Sequence, residues 1–197
     1  MLSLEQGKKL VKLARDSIVS NFSNKKPAIS NELKEEFSVK MGVFVTINKG
    51  SELRGCIGFP EPTYVLYDAV INGARSAAFS DPRFPPLGKE EVDVITVEVS
   101  VLSVPRLIEV RNPEDLPKMI QVGQDGLIIR GTFNSGLLLP QVAVEYKWDA
   151  KTFLEQTCVK AGLPEGTWMD FNSCRVYKFQ GQVFSEQQPG GEVVQML

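Results

Sequence analysis

The chain has 197 residues, 43% of them hydrophobic, enough to bury a substantial core as one domain or two closely joined subdomains; disorder is not the default. Its 24 acidic and 22 basic residues leave a formal charge of −2, so no global field draws in a polyanion and duplex DNA is disfavoured as a partner. Histidine is absent, which excludes Ser-His-Asp and Cys-His catalysis, histidine-ligated zinc and the usual neutral-pH proton shuttle.

Ser3 and Gln6 form a capping box that predicts a helix over about residues 4–20. Its apolar stripe is Leu10, Leu13, Ala14 and Ile18, with Lys8, Lys9 and Lys12 on the wet face. Asn24-Lys25-Lys26-Pro27 reads as a loop, and Ser30 caps a short helix carrying Leu33 and Phe37. Residues 42–47 are rich in β-formers and Asn48-Lys49-Gly50-Ser51 is turn sequence, so 42–58 read as a hairpin. Its second strand contains Leu53-Arg54-Gly55-Cys56-Ile57-Gly58. Period-2 alternation places Arg54, Cys56 and Gly58 on one face and Leu53, Gly55 and Ile57 on the other, setting a cation beside a thiol. Glycines inside a strand mark a bulge or the close approach of another backbone or a ligand. Phe59-Pro60-Glu61-Pro62 then stops the pairing, because proline cannot donate to a ladder.

Thr63 is read as the cap of a helix to about Phe79, whose stripe of Leu66, Ala69, Val70, Gly73, Ala74, Ala77 and Ala78 implies a close neighbour. Residues 80–87, with three prolines, form a stiff connection that makes Asp81 and Arg83 available for salt bridging or ligand contact. Residues 92–102 read as a long strand with Glu98 on its partly polar face. Asn112 and Pro113 start a helix expected to end near Gly123, with Pro117 its weak point. Residues 127–130 and 137–140 form a second hairpin. Asp149 caps a helix ending at Gly162 in which Cys158 is a packing thiol, residues 174–184 make a final strand, and 186–197 read as a loosely ordered tail.

The N-terminus lacks the basic start and apolar run of a signal peptide, and no stretch reaches the length of a membrane span. Cys56, Cys158 and Cys174, an odd and widely spaced set, fit reduced thiols, so the expected compartment is the cytoplasm.

LRGCIG at 53–58, AAFSDPRFPPL at 77–87, VEVSVLS at 97–103, GLLLPQVAVEY at 136–146 and FLEQTCVKAGL at 153–163 together resemble the AMMECR family over nearly the whole chain. The resemblance implies an α+β fold of mainly antiparallel sheets with flanking helices, in two unequal subdomains with a cleft between them, the larger containing both termini. On the family's pattern Arg54, Gly55, Cys56, Asp81, Arg83, Glu98, Pro140 and Gln141 line that cleft. Neighbourhood with Memo-like and radical-SAM proteins implies a shared pathway and names neither reaction nor cofactor.

Three functions follow as expectations. The first is small-molecule binding or thiol-dependent catalysis centred on Cys56. A free thiol with a pKa of about 8.5 is a few per cent thiolate at neutral pH, and a neighbouring cation such as Arg54 would raise that fraction. Glu98 or Asp81 would then carry the proton, while Arg54, Gly55, Asp81, Arg83, Pro140 and Gln141 would contact the ligand. The second is an interaction module or accessory factor for a Memo-like or radical-SAM partner, in which Cys56 is packed and Arg54 salt-bridges elsewhere. The third is RNA binding through Arg54, Arg75, Arg83 and Arg130.

Overall fold

The computed structural model describes residues 2–23, 27 and 29–196, so all but Pro27 of the predicted Asn24–Pro27 loop lies outside the described residues. The chain forms two compact units. One comprises Met1–Leu102 with Gln182–Leu197, the other Ser103–Gly181. The fold class is α+β, with antiparallel sheets and flanking helices.

The first unit opens with α1 (Leu4–Asn21), started by the reciprocal Ser3–Gln6 capping box, and α2 (Asn31–Glu36), capped by Ser30. Strands β1 (Gly42–Lys49), β2 (Glu52–Phe59) and β3 (Ile95–Leu102) pair antiparallel in the order β2-β1-β3. Val43, Val45 and Ile47 of β1 and Val97, Val99 and Val101 of β3 point to one face and are buried. That face packs on α1 and on α3 (Leu66–Phe79), whose small residues let helix and sheet come close. Burying each such large apolar side chain stabilises by about 1.5–3 kcal/mol, which makes this face the organising core.

Helix α3 begins three residues after the predicted cap. Thr63 turns back on Glu61 instead, its N–H donating to Glu61 O at 2.8 Å. The first helical N–H groups are taken from elsewhere in the chain: Leu66 N–H donates to Val39 O and Tyr67 N–H to Phe37 O. A 3-10 turn at Lys89–Glu91, with Val94 N–H returning to Glu91 O, delays β3 to Ile95. The tail also differs from the expectation of loose order. Within it, β8 (Val193–Gln195) pairs with Phe184–Glu186 at the end of β7 (Cys174–Glu186). Phe184 is fully buried and Val193 nearly so, and this apolar pair holds the terminus in the core.

The second unit contains β4 (Arg106–Leu107), β5 (Asp125–Gly131), β6 (Ser135–Leu138) and the first part of β7. β5 pairs with β6 and β7, and β4 pairs with β7. The helix expected over 112–123 is a 3-10 helix, Pro113–Met119, because Pro117 has no N–H for the α-helical ladder. A short helix the sequence reading did not anticipate, α4 (Pro140–Glu145), follows β6, with Pro140 serving as its first residue. Helix α5 (Ala150–Lys160) is capped by Asp149, whose carboxylate accepts from Thr152 N–H at 2.7 Å. Leu116, Leu127, Ile129, Phe153, Leu154 and Trp168 centre the second core. No helix among the described residues is long and apolar enough to cross a membrane.

Candidate functional site

The geometry around Cys56 is set by the β1–β2 hairpin. From the turn, Lys49 pairs with Glu52 and Asn48 with Leu53, but Ile47 pairs with Gly55, so Arg54 is an extra, bulged residue. Beyond the bulge Cys56 lies opposite Thr46, and Thr46 lies opposite Glu98 on β3. Cys56, Thr46 and Glu98 thus form one cross-strand row on the sheet face turned away from the α1–α3 core. Leu53, opposite Asn48, falls on the same face as Cys56. This corrects the strict alternation, which set Leu53 with Gly55.

Arg54 is turned aside by the bulge and engaged elsewhere. Its Nε donates to Glu91 Oε1 at 3.0 Å and its Nη2 to Glu91 Oε2 at 2.9 Å, while Nη1 reaches Pro85 O at 2.9 Å. The Arg54 guanidinium, helped by Gly88 N–H and Lys49, holds the Glu91 carboxyl down at about 2. The cation that reaches Cys56 is Arg83 instead. Its Nη2 donates to Cys56 O at 3.0 Å.

Asp81 binds the same residue along the same strand edge, accepting from Cys56 N–H at 2.9 Å. The Asp81 carboxylate is buried and receives Arg83 through Nε at 2.9 Å, Nη2 at 2.7 Å and backbone N–H at 3.1 Å. That guanidinium, with the Cys56 N–H adding to it, holds the Asp81 carboxyl well below the usual carboxylate range against the cost of burial. β2 is the outer strand of β2-β1-β3, and the Asp81–Arg83 pair gives Cys56 the acceptor and donor that a further strand would have offered. The two motifs therefore meet in space although 25 residues separate Cys56 from Asp81.

Cys56 itself is half-buried, and its sulfur accepts a hydrogen bond from the Thr46 hydroxyl at 3.3 Å. Glu98 is also half-buried, and burial pushes its carboxyl above the usual range. The row thus combines a thiol, a hydroxyl donor to its sulfur and a carboxyl biased toward holding its proton. Cys158 and Cys174 are buried, and burial pushes Cys158 up to about 11.

Gly55 shows why that strand cannot carry a side chain there. A Cβ would lie 2.1 Å from the carbonyl oxygen of Ala77, at the last turn of α3. Pro140 and Gln141 belong to the second unit, Pro140 buried at the start of α4 and Gln141 exposed. The four arginines considered for RNA are engaged individually: Arg54 on Glu91, Arg83 on Asp81, Arg75 on Asn21, and Arg130 over the Tyr177 ring at 4.7 Å. Thr46 and Glu91 escaped the sequence reading. Thr46 would have emerged from the hairpin register had the bulge been placed. Among the described residues no group of three or more acidic or cysteine side chains is arranged to hold a metal.

The model of the AMMECR1 family matches residues 11–184. A protein of Methanothermobacter thermautotrophicus is 50% identical over 186 residues, covering 94% of this chain and 96% of that one. A protein of Methanocaldococcus jannaschii is 45% identical over 197 residues, covering 99% and 97%. Among solved structures, the crystal structure of an uncharacterised protein from Pyrococcus horikoshii is 47% identical with a TM-score of 0.82, covering 97% of this chain and 96% of that one.

Proposed function

Because this chain belongs to the AMMECR1 family, we propose, for the residues its motifs carry, that the Cys56 face of the β2-β1-β3 sheet binds a small molecule with the thiol placed to react with it. The observation that carries this reading is the Cys56–Thr46–Glu98 row. The Thr46 hydroxyl donates to the sulfur and Arg83 donates to the Cys56 carbonyl, so the thiol is held in place from its side chain and from its backbone. A carboxyl that retains its proton above the usual range supplies proton transfer where no histidine exists. Asp81 and Arg83 fix the backbone from which the thiol projects. The three unpaired thiols suit the reducing cytoplasm.

The test joins iodoacetamide labelling, followed by peptide mass spectrometry across pH, to a thermal-shift screen of metabolites on wild type and Cys56→Ser. Cys56 is expected to be alkylated at neutral pH while Cys158 and Cys174 stay protected, and at least one metabolite should stabilise wild type but not the variant. Resistance of Cys56 below pH 8, together with identical metabolite responses in both proteins, would eliminate the thiol reading.

A second reading, an interaction module for a Memo-like or radical-SAM partner, is favoured by Phe133, which is 96% exposed at the β5–β6 turn. It predicts that a complex formed on co-expression with such a partner is lost in Phe133→Ser, and it fails if complex formation is absent or unaffected.

A further inference from the structure

The sheet face that bears Cys56 carries more than its central row. Phe44 lies next along β1 on that face, opposite Gly58 on β2 and Ser100 on β3. A Cβ at Gly58 would lie 2.5 Å from Phe44 Cδ1, so the half-buried ring leans across β2 and spreads over the glycine two residues from Cys56. A flat apolar surface therefore borders the thiol, suited to stacking a planar conjugated group.

Charge on this face narrows the ligand further. Arg54 is taken by Glu91, and Arg83 by Asp81 at the strand edge. Ser100 beside Phe44, and Asn48 and Thr96 in the row toward the turn, are uncharged. Glu98 is the one carboxyl in these rows, and among the described residues it meets no hydrogen-bond donor and no cation. A carboxylate or phosphate ligand would find no counter-charge in the rows and would face Glu98. An uncharged ligand with a carbonyl oxygen gives the protonated carboxyl the acceptor it lacks.

Separation decides the kind of electrophile. β1 runs between the two groups, so the Cys56 and Glu98 backbones stand about 10 Å apart, two strand spacings. In a simple aldehyde or ester the attacked carbon and the oxygen that needs a proton are bonded neighbours, which asks for thiol and acid close together. In an α,β-unsaturated carbonyl they stand at opposite ends of a flat conjugated unit, which reaches along the row from the β2 side to the β3 side.

On the reading that a small molecule meets the thiol here, we propose that this face takes an uncharged, planar α,β-unsaturated carbonyl compound, with Cys56 adding to its β-carbon, Glu98 serving its carbonyl oxygen and Phe44 stacking on its conjugated plane. The sulfur gives its proton to water and forms the S–C bond. The C=C π pair moves through to the carbonyl oxygen, which takes the Glu98 proton. The enol then relaxes to the ketone, gaining a proton at the α-carbon and releasing one from oxygen, and Glu98 is reprotonated from water. The sum is S–H added across C=C with no oxidant or reductant, and the same steps in reverse release the ligand. Burial holds more of the Glu98 carboxyl in the protonated form that this step uses.

The test follows Cys56 by peptide mass spectrometry on the full chain with three reagents, each rate divided by that of 2-mercaptoethanol. Methyl trans-3-benzoylacrylate is a neutral enone, its free acid is anionic at neutral pH, and iodoacetamide reacts by a substitution that needs no proton. On this scale the ester should react at least about tenfold faster than the acid or iodoacetamide, and Glu98→Gln should remove most of that advantage while iodoacetamide labelling stays within about twofold. A cooperative melting transition checks that the variant folds. Equal normalised rates for ester and acid, no ester advantage over iodoacetamide, or a Glu98→Gln variant that slows both reagents alike or neither overturns this proposal and leaves the thiol reading standing. Resistance of Cys56 to all three reagents removes both.

Discussion

Cys56 owes its neighbours to one inserted residue. The two-residue step at Gly50-Ser51 would by itself register Cys56 against Val45, a buried core position; the bulge at Arg54 advances the strand and sets the thiol against Thr46. The Thr46 hydroxyl is therefore expected to govern the sulfur. In Thr46→Val the alkylation rate of Cys56 at neutral pH should fall, while Thr46→Ser retains it, as read by labelling rates. Gly55 is equally position-bound: its missing Cβ is what allows β2 to lie against Ala77 O. Gly55→Ala should destabilise by roughly 1–3 kcal/mol in urea unfolding, since a backbone carbonyl gives way less readily than a side chain.

At the scale of elements, the 3-10 turn Lys89–Glu91 is tied to β2 by the fork of Arg54 on Glu91. The Glu91 carboxyl lies at about 2 in the folded chain against an ordinary 4.5, so its contribution is fully present above the ordinary value and is lost as pH falls through the folded one. Asp81, also held low by Arg83, adds a loss of the same sign. Stability measured by denaturant titration should therefore drop from about pH 5 downward, and Glu91→Gln, less stable at neutral pH, should show a shallower drop. The closing β7–β8 hairpin makes a different demand. The Phe184 ring fills the space that Gly7 leaves on α1, where a Cβ would lie 2.1 Å from the ring. Phe184→Ala should cost about 3–5 kcal/mol, checked by urea unfolding, because a well-packed core collapses incompletely around the void.

At the scale of the whole molecule, periodicity carried far. The Ser3–Gln6 capping box, the β-former run of β1, the alternation of β3 and the small-residue stripe of α3 are local patterns, and each formed the element it predicted because local hydrogen bonding and burial of the apolar face agree. The misses lie where distant chain decides. Thr63 lost its place as a cap because Val39 O and Phe37 O take up the first helical N–H groups of α3, and the tail became ordered because Val193 finds the first unit's core. The pairing of Arg54 with Glu91 and of Asp81 and Arg83 with the Cys56 peptide likewise depends on segments folded together across dozens of residues.

The sequence by itself determined the α+β class, the family, the absence of histidine chemistry and which motifs to watch, since these depend on composition, ordered motifs and short-range period. Tertiary structure alone decided which cation meets the thiol, which hydroxyl faces its sulfur and that Glu98 stands in the same row. Register across strands shifts by whole residues with one bulge, and a long side chain pairs with whichever charge the folded chain brings within reach.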